Sequence, residues 1–288
     1  MDCYLCNSTS HKKISKSVRD ISNVSVLRCN NCGLVYLSSF DHIDNNFYEN
    51  SSMRDSKQSI DQWRKETLSD DKRRYNYLKN VLTGKNVLDF GAGNGGFLSL
   101  AKEVANTVTA VELDKQSNEY FENHQISHYK TLNEIGELRK FDVITAFHVI
   151  EHLKDPVQFL NTISKFLAKG GSIYLEFPNS DDALLSLYNC KKFANFTYWG
   201  CHLMLFNENT IKQIIEKANL LCHDIKQVQR YPLSNHLYWL SCGLPGGHHK
   251  WSFINDEKIN KEYEKTLSKE KICDTILVEV KSEDNSRY

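Results

Sequence analysis

The 288-residue sequence contains no apolar run approaching the roughly 18 residues that a membrane-spanning helix needs. Its first residues, Met1-Asp2-Cys3-Tyr4, lack the basic stretch and apolar core of a secretory signal, so a cytoplasmic location is the expectation. Formal net charge is absent: 36 Lys and Arg balance 36 Asp and Glu. There is no basic tail or long basic block, which disfavours a general nucleic-acid binder while leaving a local basic patch open. No internal repeat or low-complexity segment is evident. What remains is a chain long enough for one large α/β domain plus a small module.

Cysteine is not scarce. In a reducing compartment the nine cysteines read as metal ligands and small buried residues rather than disulfides. Cys3 and Cys6 form one C-x-x-C knuckle, and Cys29 and Cys32 form a second, 22 residues further on and followed at once by Gly33. Two such knuckles bring four thiolates around one zinc ion. With cysteine in all four positions no water-bearing site is offered, so the expected zinc is structural. A redox C-x-x-C would usually sit alone, at a helix start. Residues 1–50 carry five basic and five acidic residues, whereas a zinc ribbon built to grip nucleic acid is usually basic.

The stretch Asn86-Val87-Leu88-Asp89-Phe90-Gly91-Ala92-Gly93-Asn94-Gly95-Gly96-Phe97 reads as a buried strand, a tight glycine turn and the start of a helix. Such a turn holds a nucleoside-containing cofactor at the carboxyl end of a parallel sheet. The glycines fit both G-x-G-x-x-G and G-x-G-x-G, and by themselves do not choose a cofactor. Asp89 does more: a carboxylate there repels a dinucleotide's pyrophosphate but binds an ammonium group, such as that of S-adenosylmethionine. A second strand ends in Val111-Glu112-Leu113-Asp114, and an acid at Glu112 accepts hydrogen bonds from both ribose hydroxyls of any adenosine cofactor. Asp114 fits better as the cap of the next helix.

The chain divides into a zinc-binding module (1–45), a polar helical capping segment (46–83) and an α/β domain (84–288). In the last, strands at Val87–Phe90, Thr107–Val111, Ser127–Tyr129, Asp142–Ala146 and Ser172–Phe177 alternate with helices after Gly95, around Ser117–Asn123 and from Asp155. Two aromatic-rich excursions, near 181–206 and 231–252, interrupt the pattern. The closing strand, Thr275–Val280, is predicted to return antiparallel beside Leu221–Val228.

Together these residues resemble the class I S-adenosylmethionine-dependent methyltransferases. The resemblance rests on Val87 to Gly95, on Val111-Glu112, on Phe141-Asp142-Val143-Ile144-Thr145-Ala146-Phe147-His148-Val149-Ile150-Glu151-His152-Leu153-Lys154-Asp155-Pro156, and on Gly170 to Asn179. It implies a Rossmann-like, mostly parallel seven-stranded sheet with an antiparallel last strand. Asp89 and the loop Gly91, Ala92, Gly93 and Gly95 would then surround the methionine part of the cofactor. Glu112 would bind the ribose, Leu113 would pack on adenine, and Ala146 and Phe147 would lie near the sulfonium. The adenine-edge contact would come from near Thr131-Leu132, where the sequence has no distinctive acid. The four-cysteine module resembles a subgroup that methylates sugars in nucleotide-sugar, antibiotic or surface-polysaccharide biosynthesis. Larger sugar C-methyltransferases of this type carry a further C-terminal domain that this sequence lacks, which disfavours C-methylation.

A hydroxyl acceptor needs a base, and histidine suits neutral pH. The first candidate is His152, just past the cofactor-facing turn; otherwise it packs to hold that turn. His202 and His236 lie in the two excursions predicted to roof the site. Tyr48, Glu151, Tyr198, Tyr231 and Tyr238 are candidate acceptor contacts, against a competing role in the lid's own small core or, for Glu151, as an exposed cap. The expected acceptor is a sugar, nucleotide-linked sugar or glycan, methylated on oxygen. The alternatives are an RNA-base methyltransferase reading RNA through its zinc module, a sugar N- or C-methyltransferase, an NAD-dependent enzyme (which Asp89 disfavours) and a non-catalytic zinc interaction protein. Oligomeric state is not legible.

Overall fold

The computed structural model describes residues 1–43, 59–136 and 138–283. At the N-terminus β1 (His11–Ser15), β2 (Val26–Cys29) and β3 (Val35–Leu37) form antiparallel pairs around the two cysteine knuckles. The long helix α1 (Ile60–Leu82) follows, started by the Ser59 side chain, which accepts from the Gln62 amide.

The main sheet alternates strands and helices: β4 (Asn86–Phe90), α2 (Gly96–Ala101), β5 (Thr107–Val111), α3 (Asn118–Asn123), β6 (Ser127–Tyr129), β7 (Phe141–Phe147), α4 (Pro156–Ile163) and β8 (Leu167–Pro178). β7 is buried along nearly its whole length, as expected for a parallel strand covered on both faces. Asp155 caps α4, with Pro156 in its first turn. The first excursion holds α5 (Ala183–Ser186), α6 (Lys191–Thr197) and the two-residue β9 (Met204–Leu205). The chain then runs through α7 (Glu208–Lys217), opened by an Asn207–Thr210 capping box, to β10 (Leu220–Val228). The second excursion holds α8 (Leu233–Cys242) and α9 (Gly247–Lys250), before α10 (Glu257–Lys269) and β11 (Thr275–Ser282) close the chain.

The seven-stranded order is β10-β11-β8-β7-β4-β5-β6. β4 pairs parallel with β5 and β7, and β7 parallel with β8. β11 runs antiparallel to both β8 and β10, so the predicted terminal hairpin lies at the sheet edge.

The small sheet is where the expectation falls short. Its order is β1-β2-β3-β9, so a strand from the first excursion completes the module (Tyr36 pairs with Met204, Val35 with Leu205). One continuous core runs from Cys3, Leu5 and Leu34 through Leu203 and Phe206 to Ile144 and Phe177 in the main sheet. The module is packed into the α/β body, and a two-residue strand such as β9 has no periodicity by which sequence alone could reveal that.

Candidate active site

At the carboxyl ends of β4, β5 and β7 a cavity of about 550 Å³ opens. Its floor is the glycine turn. Gly91, Gly93 and Gly95 all have positive φ, and a Cβ on Gly91 would sit 2.6 Å from Val149 Cγ2, so only glycine fits that approach. Asn94 locks the turn: its carbonyl oxygen accepts from the Gly96 amide (2.9 Å), and its amide donates to Thr67 Oγ1 (3.0 Å), which donates to Asp71. Helix α1 thereby covers the loop, with Trp63 against Gly93.

Two carboxylates flank the turn. Asp89 is 3% exposed and accepts from Thr145 Oγ1 at 2.6 Å. Burial pushes its carboxyl up to about 7, against the Thr145 hydrogen bond and the Arg74 charge. A cationic ligand relieves that penalty. Glu112 is aimed by backbone amides, Gly93 at 2.7 Å on one oxygen and Asp114 at 2.8 Å on the other. Burial also raises its carboxyl, while those amides oppose the shift. Asp114 caps the following turn, accepting from the Gln116 amide.

Of the residues predicted to hold the cofactor, Asp89, Gly91, Ala92, Gly93, Glu112, Leu113 and Phe147 line the cavity. Gly95 and Ala146 sit behind it, Gly95 as the left-handed residue starting α2 and Ala146 fully buried in β7. Lys130, Thr131, Leu132 and Asn133 form the wall beyond β5.

The opposite wall, beyond β7, is polar. His148 adopts φ 54°, an uncommon conformation for a non-glycine residue, and its ring meets three elements. Nδ1 lies 3.1 Å from Glu151 Oε1, and Nε2 lies 3.1 Å from the Arg230 guanidinium and 3.5 Å from Glu176 Oε1. Glu151 and Glu176 are completely buried. Burial works against ionisation of Glu151, but the His148 hydrogen bond and neighbouring imidazoles bring its carboxyl below the ordinary value. Arg73 and Arg74 both grip Glu176 at 2.7–2.9 Å, and these charges outweigh burial to hold it well below the carboxylate range. Arg230 pairs with Asp70 of α1, which burial would raise but the arginine lowers to about 2.

His152 lines the same wall, and Nδ1 lies 2.8 Å from the Cys201 carbonyl. That bond places the proton of the neutral ring on Nδ1 and the accepting lone pair on Nε2. His202 stands behind it, with ring centroids 5.1 Å apart, facing a small gap among Tyr36, Tyr198 and Leu205 rather than the cavity. Burial lowers His202 to about 3, so it is neutral.

The structure does not bring His236 to the cavity. It is 1% exposed, with Nδ1 2.7 Å from the Tyr263 hydroxyl and Nε2 3.1 Å from Gln229, and burial lowers it to about 4. Tyr198 is buried at the module seam, Tyr231 is 39% exposed, and Tyr238 packs on Trp251; none lines the cavity. Glu151 acts from behind, through His148. Tyr48 lies outside the described residues. Sequence reasoning did not single out Asp70, Arg74, His148 or Arg230. His148 had a signal, since it directly follows Phe147 at the end of β7; the arginines had none beyond a helical pattern.

The module braces this wall. The Leu203 amide donates to Glu151 O (2.8 Å), Leu37 N to Leu203 O (3.0 Å) and Lys154 Nζ to Ile43 O (2.6 Å). Tyr4, between Cys3 and Cys6, hydrogen-bonds Asp155 and accepts from the Val157 amide. The four Sγ atoms lie within 4.8 Å of one another, Cys3–Cys32 and Cys6–Cys29 at 3.5 Å. Tetrahedral zinc thiolates would stand about 3.8 Å apart for a metal–sulfur bond of about 2.3 Å. The cluster therefore fits a structural metal.

A family model described as a methyltransferase domain matches residues 58–224. The ubiquinone biosynthesis O-methyltransferase of Haemophilus ducreyi is 32% identical over 192 residues, covering 58% of this chain and 79% of the relative. That of Coxiella burnetii (strain Dugway 5J108-111) is 28% identical over 178 residues, covering 56% and 75%. Among solved structures, a SAM-dependent methyltransferase from Archaeoglobus fulgidus aligns with TM-score 0.50 at 18% identity, over 76% of this chain and 94% of its own. One from Thermotoga maritima aligns with TM-score 0.50 at 16% identity, over 78% and 96%.

Proposed function

The chain belongs to the methyltransferase domain family and is a class I S-adenosylmethionine-dependent methyltransferase; from that premise we propose that it methylates a hydroxyl of a sugar, nucleotide-linked sugar or surface-polysaccharide precursor. The observation that carries the acceptor class is the polar wall. Asp70, Arg74, His148, His152 and Arg230 all line the cavity on the side away from Glu112. A wall of charged and hydrogen-bonding side chains matches a polyhydroxylated acceptor better than a flat apolar one. Transfer to oxygen accords with the relatives, which are O-methyltransferases of ubiquinone biosynthesis. An acceptor from that pathway is the reading to test against.

S-adenosylmethionine supplies an electrophilic methyl group. The protein's share is to hold it and the acceptor in line and to exclude water. Asp89 takes the ammonium end and Glu112 the ribose. His152 Nε2 accepts the hydroxyl proton as attack proceeds, its ring held by the Cys201 carbonyl. His148, fixed by Glu151 and Arg230, shapes the wall beside it. We assign His202 and His236 to bracing roles rather than proton transfer, and the four cysteines to one structural zinc. Neutral composition in residues 1–50 speaks against RNA as the acceptor.

The test is incubation with radiolabelled S-adenosylmethionine and parallel panels of nucleotide sugars, glycans, catechols and RNA. Label on a sugar hydroxyl is the expected result; label only on catechols or only on RNA overturns the acceptor assignment.

A further inference from the structure

Helix α8 is built inside out. Its protein-facing side is polar: Ser234, Asn235 and His236 are at most 5% exposed, with Trp239 beside them. Each is satisfied there, Ser234 by Asn255 (2.6 Å), His236 by Tyr263 (2.7 Å) and Asn235 by His248 (3.3 Å). Its outward side is leucine: Leu237 is 36% exposed, Leu240 44%, and Leu244, two residues past the helix end, 55%. Leu237 and Leu240, three residues apart, share one helix face, and Leu244 follows the left-handed Gly243 cap as a further exposed leucine. A helix that faces only water has the opposite polarity.

The surroundings show what the stripe fits. Helix α6 packs alongside, with the Phe193 and Phe196 rings 5.3 and 5.2 Å from Trp239. The stem of Lys192 lies against Gly243, where an added Cβ would be 2.9 Å from Lys192 Cγ. Exposed Lys191, Lys192 and Phe196 therefore border the leucines, and Lys250 and the highly exposed Phe253 follow from the same excursion. Neither segment 183–206 nor segment 231–254 contains an aspartate or glutamate, although the chain has 36. An apolar stripe edged by lysines, with tryptophan and tyrosine around it and built from two segments that carry no carboxylate, matches the boundary of an anionic bilayer. A second copy meeting the same patch would set the lysines of these segments against one another.

We propose that the outer face of α8 with the adjoining edge of α6 is a peripheral docking surface for an anionic phospholipid membrane. The leucines enter the acyl boundary and the lysines meet the headgroups. No membrane-spanning helix is involved, and none is present among the described residues. The proposal stands independently of the acceptor.

Flotation of the full, metal-loaded chain with phosphatidylcholine vesicles, with and without phosphatidylglycerol, tests it. Binding is expected to the anionic vesicles and to weaken as salt rises. L240D/L244D should lower the partition coefficient at least tenfold with melting temperature and S-adenosylmethionine affinity unchanged, and K191E/K192E should remove the salt-dependent part. Absence of binding to phosphatidylglycerol vesicles at low salt, or equal binding by L240D/L244D, overturns the proposal. So does a wild-type dimer in sedimentation that L240D/L244D dissolves, since the occupant would then be a second copy.

Discussion

The two walls of the cleft are built in opposite ways. The cofactor wall is mostly local: Asp89, the glycine turn and Glu112 lie within 24 residues, and the Gly93 and Asp114 amides aim Glu112, with Thr145 on Asp89 and Thr67 on Asn94 as the longer-range contacts. The acceptor wall is assembled at long range. Its groups come from α1 (Asp70, Arg74), the turn after β7 (His148, His152) and the end of β10 (Arg230), braced by residues 4, 37 and 43 of the cysteine module. A local site tolerates damage elsewhere; an assembled one inherits every weakness of its supports. The cofactor wall should therefore outlast perturbations that dismantle the acceptor wall.

Metal removal presses hardest on that difference. Structural zinc sites contribute on the order of 10 kcal/mol to the folding of small modules. Chelation is expected to release one zinc per chain and to reduce methyl transfer at least about a hundredfold. Affinity for S-adenosylmethionine, read by calorimetry, should change less than about threefold. Equal loss of both would make the two walls one cooperative unit.

His152→Ala strikes the acceptor wall at its chemistry. Loss of a positioned base costs about 10²–10⁴ in kcat, with cofactor affinity unchanged. Unchanged turnover on a verified acceptor would remove His152 from proton transfer.

The same contrast explains what could be read from the sequence. The parallel sheet, the glycine turn, both strand-end acids and the antiparallel closing strand each carry a short-range signal in period or spacing. His236 is a base candidate after His152 because it lies in an aromatic-rich excursion predicted to roof the site. Burial against Tyr263 separates them, and burial is a property of the assembled chain. Glu151 reads from sequence as an acceptor contact or an exposed cap and is fully buried, because the turn that carries it is covered by the 199–203 segment. Arg73, Arg74 and Glu176 are about 100 residues apart, and an ion pair at that distance leaves no local trace.

Glu112→Ala is the matching cut on the cofactor side. Removing an acceptor of two hydroxyls should weaken S-adenosylmethionine about 10- to 100-fold, while the polar wall stays intact by hydrogen exchange. A smaller pH effect belongs to Asp89. Its folded value of about 7 lies above the unfolded value of about 3.9. In the unliganded protein the resulting stabilisation is complete below the unfolded value and disappears as pH rises through 7. Cofactor binding runs the other way, because the ammonium group needs the ionised carboxylate. Affinity should fall up to about tenfold per unit as pH drops below 7, with proton uptake or release visible in buffers of different ionisation enthalpy. Asp89→Asn should abolish this dependence; a flat wild-type profile would show that Asp89 does not meet the ammonium group.

Tyr4→Phe is the gentlest cut and the most specific. Tyr4 stands inside the first knuckle, and its hydroxyl reaches Asp155 and the Val157 amide at the start of α4, directly after the turn carrying His152. Asp155 also caps α4 through the Gln158 amide at 2.9 Å. Losing the hydroxyl leaves the cap but frees its anchor, a change of about 1 kcal/mol. Hydrogen exchange over residues 156–159 should accelerate about fivefold and kcat should fall by a similar factor. Protection over residues 86–113 and affinity for S-adenosylmethionine should not move. If the two regions loosened together, Tyr4 would be stabilising the whole fold; if only the first does, this hydroxyl is one of the contacts through which the cysteine module acts on the acceptor wall.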